Sequence, residues 1–314
     1  MNSLLTIIVP CFNEEEVLPL FIDAITPVRA KLPCETELLF IDDGSSDRTL
    51  ELLRSYASKD SSVRYVSFSR NFGKEAAILA GLKETKGDTC VLLDADLQHP
   101  PTLIPEMYRE LTEGNYDSVA MYRDDRKKEG FFRRTFSSIF FKLINKMSKI
   151  NLINGATDFR MMKRPMINAI LSLPEHNRFS KGIFNWVGFN TKWLPFETAE
   201  RPAGESKWSF GKLVAYSMDA ILGFSEVPLK FFSKLGFFFC IMSFVLGLVF
   251  FVKTLIWGDP VAGFPTQFIM LLLLSGIMLC FLGVIGLYIS RIYVELKGRP
   301  AYLVKETEKD NNSK

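Results

Sequence analysis

The chain has 314 residues, enough for one large domain or two ordinary ones with a full core. Its 38 Lys and Arg nearly balance 35 Asp and Glu, so composition gives no case for nucleic-acid binding. The five cysteines show no C-x-x-C spacing, which argues against a zinc site or disulfide framework and for reduced thiols in a cytosolic setting.

The N-terminal MNSLLTIIVPCFNEEE has an apolar run too short for a signal peptide and no basic residues before it, so it reads as a first strand. A helix with an acidic first turn follows over EEEVLPLFIDAITPVRAKL, then a strand over TELLFIDDGS. The next helix is SDRTLELLRSYASKD, capped at Ser46 or Asp47. After it come the strand VRYVSFSR, the helix KEAAILAGLKETKG, the strand DTCVLLDAD, the helix PTLIPEMYRELTEG and the strand YDSVAMYR. This alternation predicts a parallel, doubly wound α/β sheet with helices on both faces.

Ligands of such sheets bind beyond the carboxyl ends of the strands, and the polar clusters of this sequence fall there. They are Asn13-Glu14, Asp42-Asp43-Gly44-Ser45, Arg70-Asn71 with Lys74, Asp94-Ala95-Asp96 with Gln98, and Arg123. Taken singly, an Asp after a strand suits a cap or a turn, and Asp43 and Asp47 fit that role as well as a site. Taken together, Asp42, Asp94 and Asp96 repel one another unless a cation or hydrogen-bond donors intervene. Oxygen ligands without a Cys or His cluster suit Mg²⁺ or Mn²⁺, which usually arrive with substrate phosphates. Neither G-x-x-x-x-G-K-[ST] nor G-x-G-x-x-G occurs. A divalent ion held by Asp96 and clamped to a diphosphate is consistent with these residues. His99 reads as packing at the turn before Pro100 and Pro101.

Beyond residue 124 the pattern is less regular. Asp158 and Arg160 suit either a structural ion pair or a substrate-facing pair. Arg201 and Lys207, with Gly204 between them, suit either a solvated loop or cations that steady a leaving group. The segments 130–150 and 210–232 mix bulky apolar residues with Lys and Arg, a pattern shared by interfacial and core-facing helices. Uncharged runs over Leu235–Val252 and Val261–Ser290, the second entered near Pro265, predict membrane-crossing helices at about 235–257 and 266–290. Lys230 and Lys234 precede the pair, Arg291, Lys297 and Arg299 follow it, and the turn between has no Lys or Arg. That asymmetry puts both ends in the cytoplasm. The expected organisation is a catalytic domain over 1–209, a juxtamembrane segment over 210–232, two spans within 233–291 and a cytoplasmic tail over 292–314.

The set VPCFNEEE, IDDGSSDRT, SRNFGKEAAILAGL, DADLQHPP, TDFRMM and RPAGESKWS, with two apolar helices ending in GLYISRIYVELKGRPAYLV, resembles glycosyltransferase family 2 enzymes of GT-A fold. The likeness runs in order over nearly the whole chain. It is most marked for polyisoprenyl-phosphate glycosyltransferases, the bactoprenol glucosyltransferases and dolichol-phosphate mannose synthases, and RNFGKE with the helix pair favours the bacterial branch. The resemblance implies a GT-A domain with a mostly parallel sheet, followed by a two-helix transmembrane hairpin in the inner membrane. It implies Mg²⁺- or Mn²⁺-dependent, inverting transfer of a hexose, glucose in this branch, from a UDP-sugar to undecaprenyl phosphate at the cytoplasmic face.

Carried over by position, Pro10, Phe12, Asn13, Glu14 and Asp42 line the nucleotide-sugar pocket with Lys74, Ala95 and Arg123, and Arg70 lies near the nucleotide. Asp94 meets the nucleotide sugar or metal, and Asp96 and Gln98 hold the metal. Arg133, Arg134 and Arg160 face the acceptor phosphate, while Arg201 and Lys207 belong to a loop that closes over the site. Asp158 matches an acidic residue proposed as a base. A phosphomonoester, whose second pKa is near ~6, needs little deprotonation, so orienting Arg160 or the sugar hydroxyls suits Asp158 better. The family also implies homo-oligomers, for which Gly276, Gly283 and Gly286 suit helix association. Alternatives are the same reaction with N-acetylglucosamine, N-acetylgalactosamine or aminoarabinose, or with mannose from GDP-mannose, and a non-catalytic nucleotide-sugar-binding membrane scaffold. A processive polysaccharide synthase is disfavoured, since no Q-x-x-R-W occurs.

Overall fold

A computed structural model of the protein describes residues 3–124, 153, 155–176, 178–199, 227–257 and 264–311. Two compact units emerge: the N-terminal part together with the chain from Pro300 onward, and the segment between them. The segment 130–150 and the residues of 210–232 before Val227 lie outside the described residues.

The first unit is built on eight strands: β1 Leu4–Cys11, β2 Glu35–Asp42, β3 Val63–Phe68, β4 Thr89–Leu92, β5 Ser118–Arg123, β6 Ala156–Lys163, β7 Thr191–Phe196 and β8 Val304–Thr307. They form one sheet in the order β7-β5-β6-β4-β1-β2-β3-β8. The helices are α1 Leu18–Arg29, α2 Thr49–Lys59, α3 Lys74–Glu84, α4 Ile104–Glu113, α5 Arg164–Leu171 and α6 Ser180–Trp186. Strands β1 and β2 are near-continuous apolar runs, as expected for parallel strands covered on both faces, and Ile7, Ile8, Val9, Leu39 and Phe40 are fully buried. Helix α4 turns Ile104, Met107, Tyr108 and Leu111 inward at helical spacing. A Cβ at Gly81 would overlap the Ile8 side chain, so a glycine lets α3 lie close against β1.

Two ends differ from expectation. Helix α1 starts at Leu18 with a proline in its first turn, so the acidic residues read as that turn belong to the preceding loop. Helix α2 starts at Thr49, and Asp47 Oδ1 accepts the Thr49 N–H at 3.0 Å, so its carboxylate caps from one residue further out.

The topology also departs from a simple βα repeat. β6 runs antiparallel between β4 and β5, with Arg160 opposite both Leu92 and Ala120. β8, drawn from the segment expected to be a free tail, runs antiparallel along the outer edge of β3. The sheet is therefore mixed but mostly parallel. β5 keeps the direction of β4 across the intervening strand, so the carboxyl ends of β1 to β5 share one edge. The start of β6, with Asp158, joins them there.

The second unit consists of α7 Val227–Trp257 and α8 Phe264–Leu296, both longer than predicted. At 1.5 Å per residue each spans over ~45 Å. Both hold an apolar window long enough to cross a bilayer by length and composition, Leu229–Leu246 and Leu273–Leu296. Their large side chains are exposed, Phe244 at 74% and Leu279 at 68%. The helices touch where Phe232 meets Phe281 edge-on at 5.2 Å. A Cβ at Gly276, Gly283 or Gly286 would meet nothing within 4 Å among the described residues, so that contact does not use them.

Candidate active site

The loops after β1 and β2 are laced together by polar side chains. The Asn13 N–H donates to Ser45 Oγ at 2.9 Å, the Ser46 N–H to Asn13 Oδ1 at 2.8 Å, and the Glu14 N–H to Thr49 Oγ1 at 2.8 Å. Asn13 has φ 52°, the left-handed conformation that Asn tolerates best after Gly. Pro10 and Phe12 are half-buried beside it. Asp42 is fully buried at the end of β2, and its oxygens accept from the Ser45 N–H at 3.0 Å and the Ser67 hydroxyl at 2.6 Å. In this arrangement Asp42 ties the loop after β2 to β3.

Asp43 reaches the other way, accepting the N–H groups of Phe72 at 2.6 Å and Gly73 at 2.9 Å. Burial pushes its carboxyl up to about 6, against the pull of those bonds. Gly44 has φ +67°, and a Cβ there would overlap the Arg70 backbone. Only glycine lets the loops after β2 and β3 come so close.

Lys74 opens α3 and is the centre of the charge arrangement. Its ammonium lies 2.8 Å from the Asp94 carboxylate and 2.9 Å from Asp158 Oδ2. Burial disfavours that ammonium, yet the two carboxylates outweigh it and raise its pKa. Burial likewise opposes the Asp94 and Asp158 anions, but Lys74 holds both below the usual carboxylate range, with Lys181 assisting at Asp158. All three groups stay charged near neutral pH. Ser180 donates its N–H at 2.9 Å, and also its hydroxyl, to Glu75, which pins the start of α6 and so Lys181 to the start of α3.

Asp96 follows on the next turn, where the Gln98 N–H donates to Asp96 Oδ1 at 3.1 Å. Ala95 between the carboxylates is buried. Leu97 has φ 57°, a costly conformation for a leucine, of the sort that concentrates at functional loops. His99 is buried between the rings of Phe159 and Phe196, at 5.4 and 5.3 Å, which agrees with a packing role. Its Nδ1 nevertheless lies 3.7 Å from Asp94 Oδ2. One ligand atom from each of Asp94, Asp96 and His99 falls within 4.8 Å of the others. The motif reading had set His99 aside from this group.

Other expected residues are placed differently. The ion pair between Asp158 and Arg160 does not form among the described residues, because Asp158 is taken by Lys74. Arg160 is 1% exposed, with its guanidinium over the rings of Phe184 at 5.0 Å and Trp193 at 5.1 Å. Burial pulls its pKa down to about 9. Arg160 therefore packs among these rings. Arg123 ends β5, its N–H bonded to the Gly155 carbonyl at 3.0 Å. Arg133, Arg134, Arg201 and Lys207 lie outside the described residues.

Among the described residues around the carboxylate pair, Lys74 and Lys181 stand against Asp94, Asp96 and Asp158, a local excess of negative charge. A polyanionic ligand is repelled by that excess, and a divalent cation on the hard carboxylate oxygens reverses its sign. The residues present therefore fit Mg²⁺ or Mn²⁺. The sheet edge, the laced loops and the carboxylate pair after β4 coincide with the residues that a family model matches. That model is glycosyl transferase family 2, matched over residues 6–171.

The chain belongs to glycosyl transferase family 2. Its fold is GT-A-like, a mixed, mostly parallel sheet in an α/β domain, with two apolar helices in the C-terminal region. It is 43% identical over 310 residues to the putative glycosyltransferase CsbB of Bacillus subtilis, covering 99% of this chain and 94% of that one. It is 39% identical over 307 residues to the SfII prophage-derived bactoprenol glucosyl transferase of Shigella flexneri, covering 98% and 99% of the two. Among solved structures, glucosyl-3-phosphoglycerate synthase from Mycobacterium tuberculosis, crystallised with Mn²⁺, UDP and glucosyl-3-phosphoglycerate, overlays with a TM-score of 0.49 at 20% identity, over 70% of this chain and 78% of that one. Asp94 and Asp96, with Ala95 between them, form an acidic cluster of D-x-D spacing.

Proposed function

We propose that this family 2 glycosyltransferase moves glucose from UDP-glucose to a polyprenyl phosphate, with inversion, at the cytoplasmic face of the membrane. The observation that carries the proposal is the match, end to end, with relatives named bactoprenol glucosyl transferase, combined with a charged sheet edge suited to a metal-bound diphosphate. The sheet-edge pocket between the β1, β2 and β3 loops takes the nucleotide. Asp96 and Gln98 would hold a divalent ion, which would supply positive charge for the departing diphosphate.

The nucleophile is an oxygen of the lipid phosphate, attacking the anomeric carbon from the face opposite the nucleotide. That phosphate is already largely ionised at neutral pH, its second pKa being near ~6. A general base is therefore unnecessary, and Asp158 is ill suited to be one. A carboxylate held below its ordinary pKa by Lys74 and Lys181 is a weak proton acceptor. Its work is to fix Lys74, which it shares with Asp94, so that one ammonium stands at the position where sugar and diphosphate separate. Arg133, Arg134, Arg201 and Lys207 are proposed to add positive charge on the acceptor and leaving-group sides.

The tail supports the membrane arrangement. A segment hydrogen-bonded to β3 shares the compartment of the sheet, which supports paired crossings rather than a single one. The Lys and Arg residues flanking the two apolar helices support a cytoplasmic location for that compartment. Membranes containing the protein, incubated with Mg²⁺, undecaprenyl phosphate and a panel of radiolabelled UDP-sugars, should yield labelled lipid with UDP-glucose. Label from another sugar would replace glucose in the proposal, and nucleotide binding without labelled lipid would make the protein a binder.

A further inference from the structure

The chain after the second apolar helix is tied to the sheet by more than a pair of strand hydrogen bonds. Arg54 grips Glu306 with two bonds, at 2.8 and 2.6 Å, and the Tyr65 hydroxyl donates to the same carboxylate at 3.1 Å. Arg64 Nε donates to Glu308 at 3.0 Å. These contacts fasten β8 along β3, with Val304 opposite Phe68 and Glu306 opposite Ser67.

The upstream end of the tail reaches the loop that carries Lys74. The Leu303 carbonyl accepts the Ser69 N–H at 2.9 Å, at the first residue of that loop. The Tyr302 ring stacks on Phe68 at 4.8 Å with an interplanar angle of 16°, while Phe68 meets Phe72 edge-on at 5.9 Å. Arg70 lies over the Phe72 ring at 4.3 Å. From the other side Asp43 accepts the Phe72 and Gly73 N–H groups, and the next residue is Lys74. The loop from Ser69 to Gly73 is therefore clamped between the Asp43 carboxylate and the tail.

We infer that the tail is a positioning element of the active site: Tyr302 and Leu303 hold the 69–73 loop so that Lys74 and the nucleotide-side wall keep their places. This deepens the proposed transferase reading and rests on it for the catalytic consequence. Tyr302 touches no reacting group; it acts through Phe68 and Phe72. Its ring is what matters, since the stacking on Phe68 uses the ring face.

The test compares Tyr302→Ala with Tyr302→Phe in the full-length, membrane-extracted protein. In Tyr302→Ala, amide hydrogen exchange across 69–76 should quicken while the strands β1 and β4 keep their protection. The KM for UDP-glucose should rise about ten-fold with the KM for undecaprenyl phosphate within about two-fold, because displaced binding groups are costly even when remote from the chemistry. Tyr302→Phe should behave as the unaltered protein in both measurements. Unchanged exchange in Tyr302→Ala would overturn the inference, as would equal rises in both KM values together with general loss of protection. If the unaltered protein transfers no sugar from any donor, the proposed reaction fails, and the exchange at 69–76 still decides whether the tail holds the loop.

Discussion

Two ion clusters in this molecule share one cation among several carboxylates and do so differently. At the carboxyl edge of the sheet, one Lys74 ammonium serves Asp94 and Asp158, and its side chain remains 39% exposed. On the β3 side, one Arg64 guanidinium serves Glu37 at 3.4 Å, Glu84 at 3.3 Å and Glu308 at 3.0 Å, with its side chain only 7% exposed. The Arg64 fork fixes several partners in set directions, and Glu37 is further tied by the Thr6 hydroxyl at 2.6 Å. Lysine offers a point charge on a flexible stem, which a ligand can draw away from one carboxylate without dismantling the other. A closed fork makes architecture, whereas a shared, open ammonium leaves room for chemistry.

The comparison breaks most sharply through the D-x-D element. Asp96→Asn should cut turnover by about 10³-fold while leaving thermal melting in detergent unchanged, as expected for a group that works on charge developing at the leaving diphosphate. A mutant that melts early would move Asp96 to the architectural side. Arg64→Met should do the reverse, costing about 3–5 kcal/mol of stability by stranding Glu37, with near-normal activity per folded molecule. Melting temperature and active-site-normalised rate, measured together, check both.

Lys74→Met comes next, with a loss of activity of about 10²-fold. Without the ammonium, Asp94 and Asp158 repel each other, and a titration absent from the unaltered protein should enter the pH–rate profile. The smallest expected effect is a flat one. Asp94 and Asp158 have lowered pKa values in the folded state, so their stabilisation is present above the ordinary carboxylate value and lost only as pH falls through the depressed ones. Lys74 has a raised value, so its stabilisation is present below the ordinary lysine pKa and lost only as pH climbs beyond it. From about pH 5 to 9 the trio should not titrate. Asp158→Asn should accordingly show reduced activity with no recovery at alkaline pH; such recovery would restore the role of base.

Local signals made much of this legible in the sequence. The strands and helices up to β5 follow alternation and capping that reside in a few neighbouring residues, and each polar cluster sits just after its own strand. The antiparallel insertion of β6 and the docking of β8 are register choices between distant segments, which no short window encodes. The same limit applies inside the site. The pairing of Lys74 with Asp158 depends on α3 and β6 meeting across β4, so the expected partner was the nearby Arg160. Arg160 instead lies against Phe184 and Trp193, two aromatic residues from α6 and β7. His99 was legible as a packing residue, but its approach to Asp94 depends on Phe159 and Phe196, supplied by two later strands.

The pairing of β8 with β3 has a consequence for how the molecule is made. Residues 304–307 leave the ribosome after both apolar helices, yet they cover the outer edge of a sheet whose other strands are synthesised before those helices. Until then β3 is an uncovered edge, with backbone groups open to pairing with other chains. The catalytic sheet is thus completed only after both apolar helices are made, and a chain that stalls between them keeps a sticky edge open to pairing.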